Sequence, residues 1–154
     1  MEEIDLEKSL LVQQLDALLT DEHNFIANLS NATALLYQEM SNLNWVGTYL
    51  FDEKNDILDL GPFQGKVACM HIKPGSGVCG TAFEQQQIQR IANVHEFPGH
   101  IACDSASNAE IVLPLTKNNK KIGVLDIDSP SLGRFNEEDQ QVLTDFVAVL
   151  LTHL

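Results

Sequence analysis

Glu110-Ile-Val-Leu-Pro-Leu-Thr-Lys-Asn-Asn-Lys-Lys-Ile-Gly-Val-Leu-Asp-Ile-Asp128 is a pair of apolar runs joined by a polar turn, and it reads as a β-hairpin. Side chains alternate along a strand, so Ile111, Leu113 and Leu115 share one face while Glu110, Val112 and Pro114 share the other. On the second run Gly123, Leu125 and Ile127 lie opposite in sense to Val124, Asp126 and Asp128. A two-residue loop at Asn118-Asn119, carried through without interruption, sets Ile111 against Asp126 and mixes acids into the apolar face. One extra residue, in a three-residue loop or a bulge, sets Ile111 against Ile127 and Leu113 against Leu125 instead. Glu110 then meets Asp128, and Val112 lies beside Asp126. The apolar pattern selects this second register, which gathers three carboxylates on one face. Acids set among apolar residues are unfavourable to bury unless something there needs them. A solvated strand face is the plain alternative. The small, polar cysteine loop just before the hairpin, Gly99-His-Ile-Ala-Cys-Asp104, favours a pocket.

The chain has 154 residues, enough to bury a sizeable core, and residues 1–154 are expected to form one domain. Its 22 acidic and 9 basic residues give a formal charge of −13. Such a chain repels phosphate backbones and anionic membrane surfaces, so neither nucleic acid nor membrane is an expected partner, and a cationic or zwitterionic small molecule suits it better. Met1-Glu-Glu-Ile-Asp5 lacks the basic and apolar regions of a signal peptide, and no stretch approaches a membrane span. A cytoplasmic location is the expectation. The 3 cysteines, an odd number, argue for reduced thiols rather than a structural disulfide framework.

Around the hairpin, residues 5–19 place Leu6, Leu10, Leu11, Leu15, Leu18 and Leu19 on a helical stripe. A second helix is expected from about Asp21, with Glu22 in its first turn, burying Phe25, Ile26, Leu29, Ala32, Leu36 and Met40. Leu43 to Phe51 alternates like a strand, Ile57 to Leu60 reads as a short one, and Gly61-Pro-Phe-Gln-Gly65 as punctuation. Lys66 to Ile72 reads as another strand. A short helix covers Val78 to Gln87, a strand Ile88 to Ala92, and a long loop runs through Gly99 and Cys103. Asn136, with Asp139 three residues on, caps a last helix that presents Val142, Leu143, Phe146, Val147, Leu150 and Leu154 on one side. Helices at both ends around a middle of hairpin-linked strands define an α+β domain with one sheet.

Cys103, near His100 in its Gly-flanked loop, fits an accessible and activated thiol, although most cysteines are inert core. Cys69 falls on the Lys66–Ile72 strand beside Val67 and His71 and reads as core. Cys79 opens a short helix after Gly-Ser-Gly, where the helix dipole would lower its pKa. His71, His95 and His100 with the cysteines suggest zinc, yet no Cys-x-x-Cys or His-x3-His spacing is present, so no metal is expected. Pro74-Gly-Ser-Gly-Val-Cys-Gly80 lacks the ending of a phosphate loop, and no Gly-x-Ser-x-Gly elbow occurs. Trp45 is core by default, or else the aromatic wall of a ligand pocket.

Together these residues resemble the free methionine-(R)-sulfoxide reductases, which are single GAF domains. The resemblance runs through Asn44-Trp-Val-Gly, Leu60-Gly-Pro-Phe-Gln-Gly-Lys, Gly77-Val-Cys-Gly-Thr-Ala, Val94-His, Gly99-His-Ile-Ala-Cys-Asp, Ser107-Asn-Ala-Glu-Ile-Val-Leu-Pro, Ile122-Gly-Val-Leu-Asp-Ile-Asp-Ser and Arg134-Phe135. It implies a six-stranded, mainly antiparallel sheet with N- and C-terminal helices packed on it, and a homodimer. It implies that Cys103 is the catalytic cysteine, Cys69 the resolving one and Cys79 a third cysteine of the redox set. Glu110, Asp126 and Asp128 would hold the ammonium of free methionine sulfoxide, with Glu110 as first choice of proton donor. Trp45 would flank the substrate's methyl group, and Tyr49 with the Ile101–Ala102 backbone would complete the binding set. No cofactor is implied; thioredoxin or another thiol supplies electrons. A GAF ligand sensor and a thiol redox sensor are the rival readings. The first predicts an output domain, and the second has no need of three acids to grip an ammonium.

Overall fold

The computed structural model describes residues 9–100 and 106–154. Its helices are α1 (Leu10–Leu19), α2 (Phe25–Glu39), α3 (Gly77–Gln85) and α4 (Glu137–Thr152). Its strands are β1 (Trp45–Asp52), β2 (Ile57–Gly65), β3 (His71–Ile72), β4 (Gln89–Ile91), β5 (Ala109–Lys117) and β6 (Lys120–Ser129). They form one sheet in the order β3-β2-β1-β6-β5-β4 with antiparallel neighbours throughout. The α+β class and the six-stranded sheet are as expected.

The β5–β6 hairpin reconciles the two registers. Lys117 pairs with Lys120 around Asn118-Asn119, whose φ angles of 52° and 65° build a tight left-handed turn. A bulge between Leu115 and Thr116 then absorbs one residue, and Leu113–Leu125, Val112–Asp126, Ile111–Ile127 and Glu110–Asp128 pair beyond it. The pattern of burial follows. Ile111, Leu113, Leu115, Leu125 and Ile127 pack against α1, α2 and α4, while Val112 and Val124 join Trp45, Tyr49, Val78, Cys79 and Phe83 on the other side.

Each terminal helix begins at a side-chain cap. Ser9 accepts from the Val12 N–H at 3.3 Å, Asn24 from Ala27 at 2.9 Å, and Asn136 and Asp139 close a reciprocal capping box. The Asn24 cap corrects the expected start of the second helix: Asp21, at φ 62°, belongs to the turn before it. The buried stripes also shift. Val12, Leu15 and Leu19 face the core from α1, whereas Leu10 and Leu18 are exposed; Leu6 lies outside the described residues. On α2, Phe25 and Ile26 are exposed while Leu29, Ala32 and Leu36 are buried. The apolar positions of this Leu-rich helix spread over a broad face, so the pattern left the buried stripe ambiguous by about one position.

The middle of the chain departs most. β2 runs on to Gly65, through the stretch read as punctuation, because β1 pairs with it on both sides of an irregularity between Gly47 and Tyr49. There Thr48 Oγ1 donates to the Pro62 carbonyl at 3.0 Å. The expected Lys66–Ile72 strand shrinks to His71–Ile72, and Cys69 lies in the connection, not on a strand. Val67 is 88% exposed, so the alternation there has nothing to bury against. β1, β4 and α3 occupy slightly different bounds from those expected. No helix among the described residues is long and apolar enough to cross a membrane.

Candidate functional site

A cavity opens on the α3 side of the sheet, with about 40 Å³ available to the centres of water molecules, room for a few waters or one small ligand. Glu110 from β5 and Asp126 and Asp128 from β6 line it, as the hairpin register requires, and all three are buried. Trp45, Tyr49, Val78, Cys79, His100 and Ser107 add to the wall. The Trp45 ring stacks on Tyr49 and on Phe63, with centroids 5.9 and 5.4 Å apart. Gly47, two residues on and so on the same face, leaves room for that ring; a Cβ there would collide with it and with Phe63. Trp45 Nε1 donates to the Lys66 carbonyl at 3.1 Å, and the Tyr49 hydroxyl to the Cys69 carbonyl at 3.0 Å.

Burial raises the Glu110, Asp126 and Asp128 carboxyls well above the ordinary range, and each is pushed further by an acidic neighbour. For Glu110 that neighbour is Asp126, for Asp126 it is Asp128, and for Asp128 it is Glu110. Ser107 bonds to Asp128 and offsets part of the rise; Asn44 Nδ2 donates to the Ser107 Oγ at 3.0 Å and thereby turns the serine proton toward the acid. No described residue donates to Asp126 Oδ1 or Asp128 Oδ1. Burial and mutual repulsion therefore favour the protonated forms of these acids.

Cys79 corrects one expectation. Its thiol is raised well above the usual value, first by burial and then by Asp126, Glu110 and Asp128. The dipole of α3 is outweighed because desolvation and three nearby acids exceed the effect of one helix end. The thiol sits 3.9 Å from Glu110 Oε2 as a donor. Cys69 is half-buried and disulfide-bonded, which revises its reading as inert core. Ile101, Ala102 and Cys103 lie outside the described residues. Tyr49 is likewise raised, mainly by burial, and His100 is lowered by burial and by His95.

Among the described residues, two of the histidines have other side-chain partners. His71 pairs outside the cavity with Asp59 at 2.7 Å, and His95 Nε2 meets Asn108 Oδ1 at 2.9 Å. The group among the described residues able to hold a metal is Cys79, Glu110 and Asp126, whose ligand atoms lie within 4.8 Å of one another. Sequence reasoning did not single out Ser107 and Asn44 as site residues. The polar pair Ser107-Asn108, separated from Glu110 by Ala109, and an Asn directly before Trp45 are their only signal.

The GAF domain pattern matches residues 26–150. The free methionine-R-sulfoxide reductase of Escherichia coli (strain K12) is 55% identical over 91% of this chain and 84% of its own length. The fRMsr of Staphylococcus aureus, solved in complex with substrate, is 48% identical with a TM-score of 0.89, covering 94% of both chains. The free methionine-R-sulfoxide reductase of Neisseria meningitidis, solved in complex with its substrate, is 40% identical with a TM-score of 0.89 over 93% of this chain and 85% of that one. This chain belongs to the GAF-domain family, in the group of the free methionine-R-sulfoxide reductases.

Proposed function

We propose that the protein is an oxidoreductase that reduces free methionine (R)-sulfoxide to methionine. The observation that carries this reading is the buried acid cluster, in which two carboxylate oxygens lack a donor among the described residues, beside the Trp45 ring. A free α-ammonium supplies charged donors to these oxygens, whereas a peptide-bound methionine offers only one neutral amide N–H. Relatives of the same group solved with substrate support the choice of ligand. The carboxylates speak against a thiol redox sensor, which has no ammonium to hold.

The Cys103 thiolate attacks the sulfoxide sulfur while Glu110, kept protonated by burial and Asp126, delivers a proton to the oxygen. Methionine leaves as the hydroxyl passes to the cysteine, which becomes a sulfenic acid. The Cys69 thiol condenses with it, water departs and a disulfide forms; thioredoxin reduces that disulfide and is itself oxidised. The disulfide-bonded state of Cys69 supports this part. Cys79 acts as a thiol donor to Glu110 rather than as a resting nucleophile. Residues 1–154 act as one cytoplasmic domain without a resident cofactor. Exposed Leu10, Leu18, Phe25 and Ile26 on α1 and α2 favour a homodimer.

The test is methionine released from separate free methionine (R)- and (S)-sulfoxide samples with dithiothreitol as reductant. Multiple turnovers with the R form alone are expected, and Cys103→Ser abolishes them. A folded, reduced sample that turns over neither form would leave only ligand sensing.

A further inference from the structure

Between β2 and β3 the chain forms a short tongue, residues 66–70, with Ala68 in the cavity wall. Three of its backbone carbonyls are fastened by hydrogen bonds. Trp45 Nε1 holds the Lys66 carbonyl at 3.1 Å, the Tyr49 hydroxyl holds that of Cys69 at 3.0 Å, and the Leu60 N–H holds that of Met70 at 2.9 Å. Val67 and Met70 are left outward, 88% and 68% exposed, on either side of the half-buried, disulfide-bonded Cys69. Single exposed apolar side chains are ordinary on a surface. Two of them flanking a disulfide on a fastened loop are less so. The chain carries a formal charge of −13, yet no carboxylate occurs from Leu60 to Met70, and Lys66 is exposed.

We propose that Val67 and Met70 form the docking surface for the dithiol protein that regenerates the enzyme, and that this partner attacks the Cys69 sulfur. The proposal rests on the reductase reading above. The partner's thiolate bonds to Cys69 Sγ, and the disulfide breaks to release Cys103 as the thiolate needed for the next substrate. The partner's second thiol then displaces Cys69; two electrons pass from the dithiol to the enzyme, and the partner leaves as a disulfide. Attack in this direction keeps the partner outside the cavity and leaves the acid cluster undisturbed. Apolar side chains around the sulfur seat the partner in place of the long-range charge attraction that an acidic surface offers only to a cationic protein.

The test compares two donors on a Val67→Asp/Met70→Asp variant whose folding is checked by its thermal transition. With thioredoxin, thioredoxin reductase and NADPH, the KM for thioredoxin is expected to rise about tenfold or more. With dithiothreitol, the rate is expected to stay within about twofold of the parent, because a small dithiol needs no docking surface. An unchanged thioredoxin KM, or equal losses with both donors, overturns the proposal. A second measurement mixes the oxidised parent protein, without sulfoxide, with thioredoxin lacking its second cysteine. The trapped mixed disulfide is expected at Cys69 by peptide mass mapping; trapping at Cys103 or Cys79 overturns the direction of attack. Failure of the reductase reading would show separately, as no methionine from the parent with dithiothreitol.

Discussion

Glu110, Asp126 and Asp128 retain protons in the folded chain where the same acids in the unfolded chain have lost them. The folded state then binds more protons, so stability is greatest below the ordinary carboxylate range and falls as pH rises above about 4 toward the raised folded values. Asp126→Asn resembles the protonated acid permanently. Its melting temperature should match the parent near pH 4 and exceed it by roughly 2–6 °C near pH 8. A parent whose stability rises across that interval would refute the buried-acid description. On the proposed function the same variant removes one carboxylate from the ammonium site, and its kcat/KM for free methionine (R)-sulfoxide should fall about 100-fold. Stability gained and activity lost at one position is the signature of a site strained toward its ligand.

At the scale of elements, the β5–β6 hairpin shows how two local rules settle a register. The Asn118-Asn119 turn sets one pairing and the apolar faces demand another, one residue displaced; the bulge between Leu115 and Thr116 satisfies both. Asn tolerates the left-handed conformation that β-branched residues avoid. Asn119, at φ 65°, should therefore accept Gly with little change, whereas Asn119→Val should cost about 1–2 kcal/mol. Urea unfolding reads this directly: the midpoint drops while the slope holds. Equal midpoints for the Gly and Val variants would mean that the turn does not need its left-handed pair.

For the whole molecule, the sheet separates two tasks. One face is sealed by α1, α2 and α4 into an apolar core, and the other carries the cavity under α3. A ligand that completes the acid cluster binds only the folded chain and stabilises it by mass action. Free methionine (R)-sulfoxide at about 100 times its Kd should contribute about 2.7 kcal/mol, roughly 5–10 °C in melting temperature. The N-acetyl derivative has no ammonium and should leave the transition in place. An equal shift with both compounds would show that the carboxylates do not read the amine.

Much of this was determined by sequence alone. Alternation in two strands placed Glu110, Asp126 and Asp128 on one face, since a slip of one residue would have driven acids into the helix-covered core. The Asn136–Asp139 capping box and the left-handed asparagines were legible for the same reason: each is decided by residues within a turn of one another. Tertiary structure alone decided what depends on distant partners. The 60–72 stretch carries both punctuation and strand signals, and only pairing with β1 extended β2 through Gly61 and Pro62 while Val67 was left with nothing to cover it. The α1 stripe was ambiguous because its leucines spread over a broad face, and packing chose Val12. Cys79 is the clearest case. Its place at a helix start argued for a lowered pKa, but the sheet brought three acids around it, and burial beside like charge raises a thiol further than a helix end can lower it.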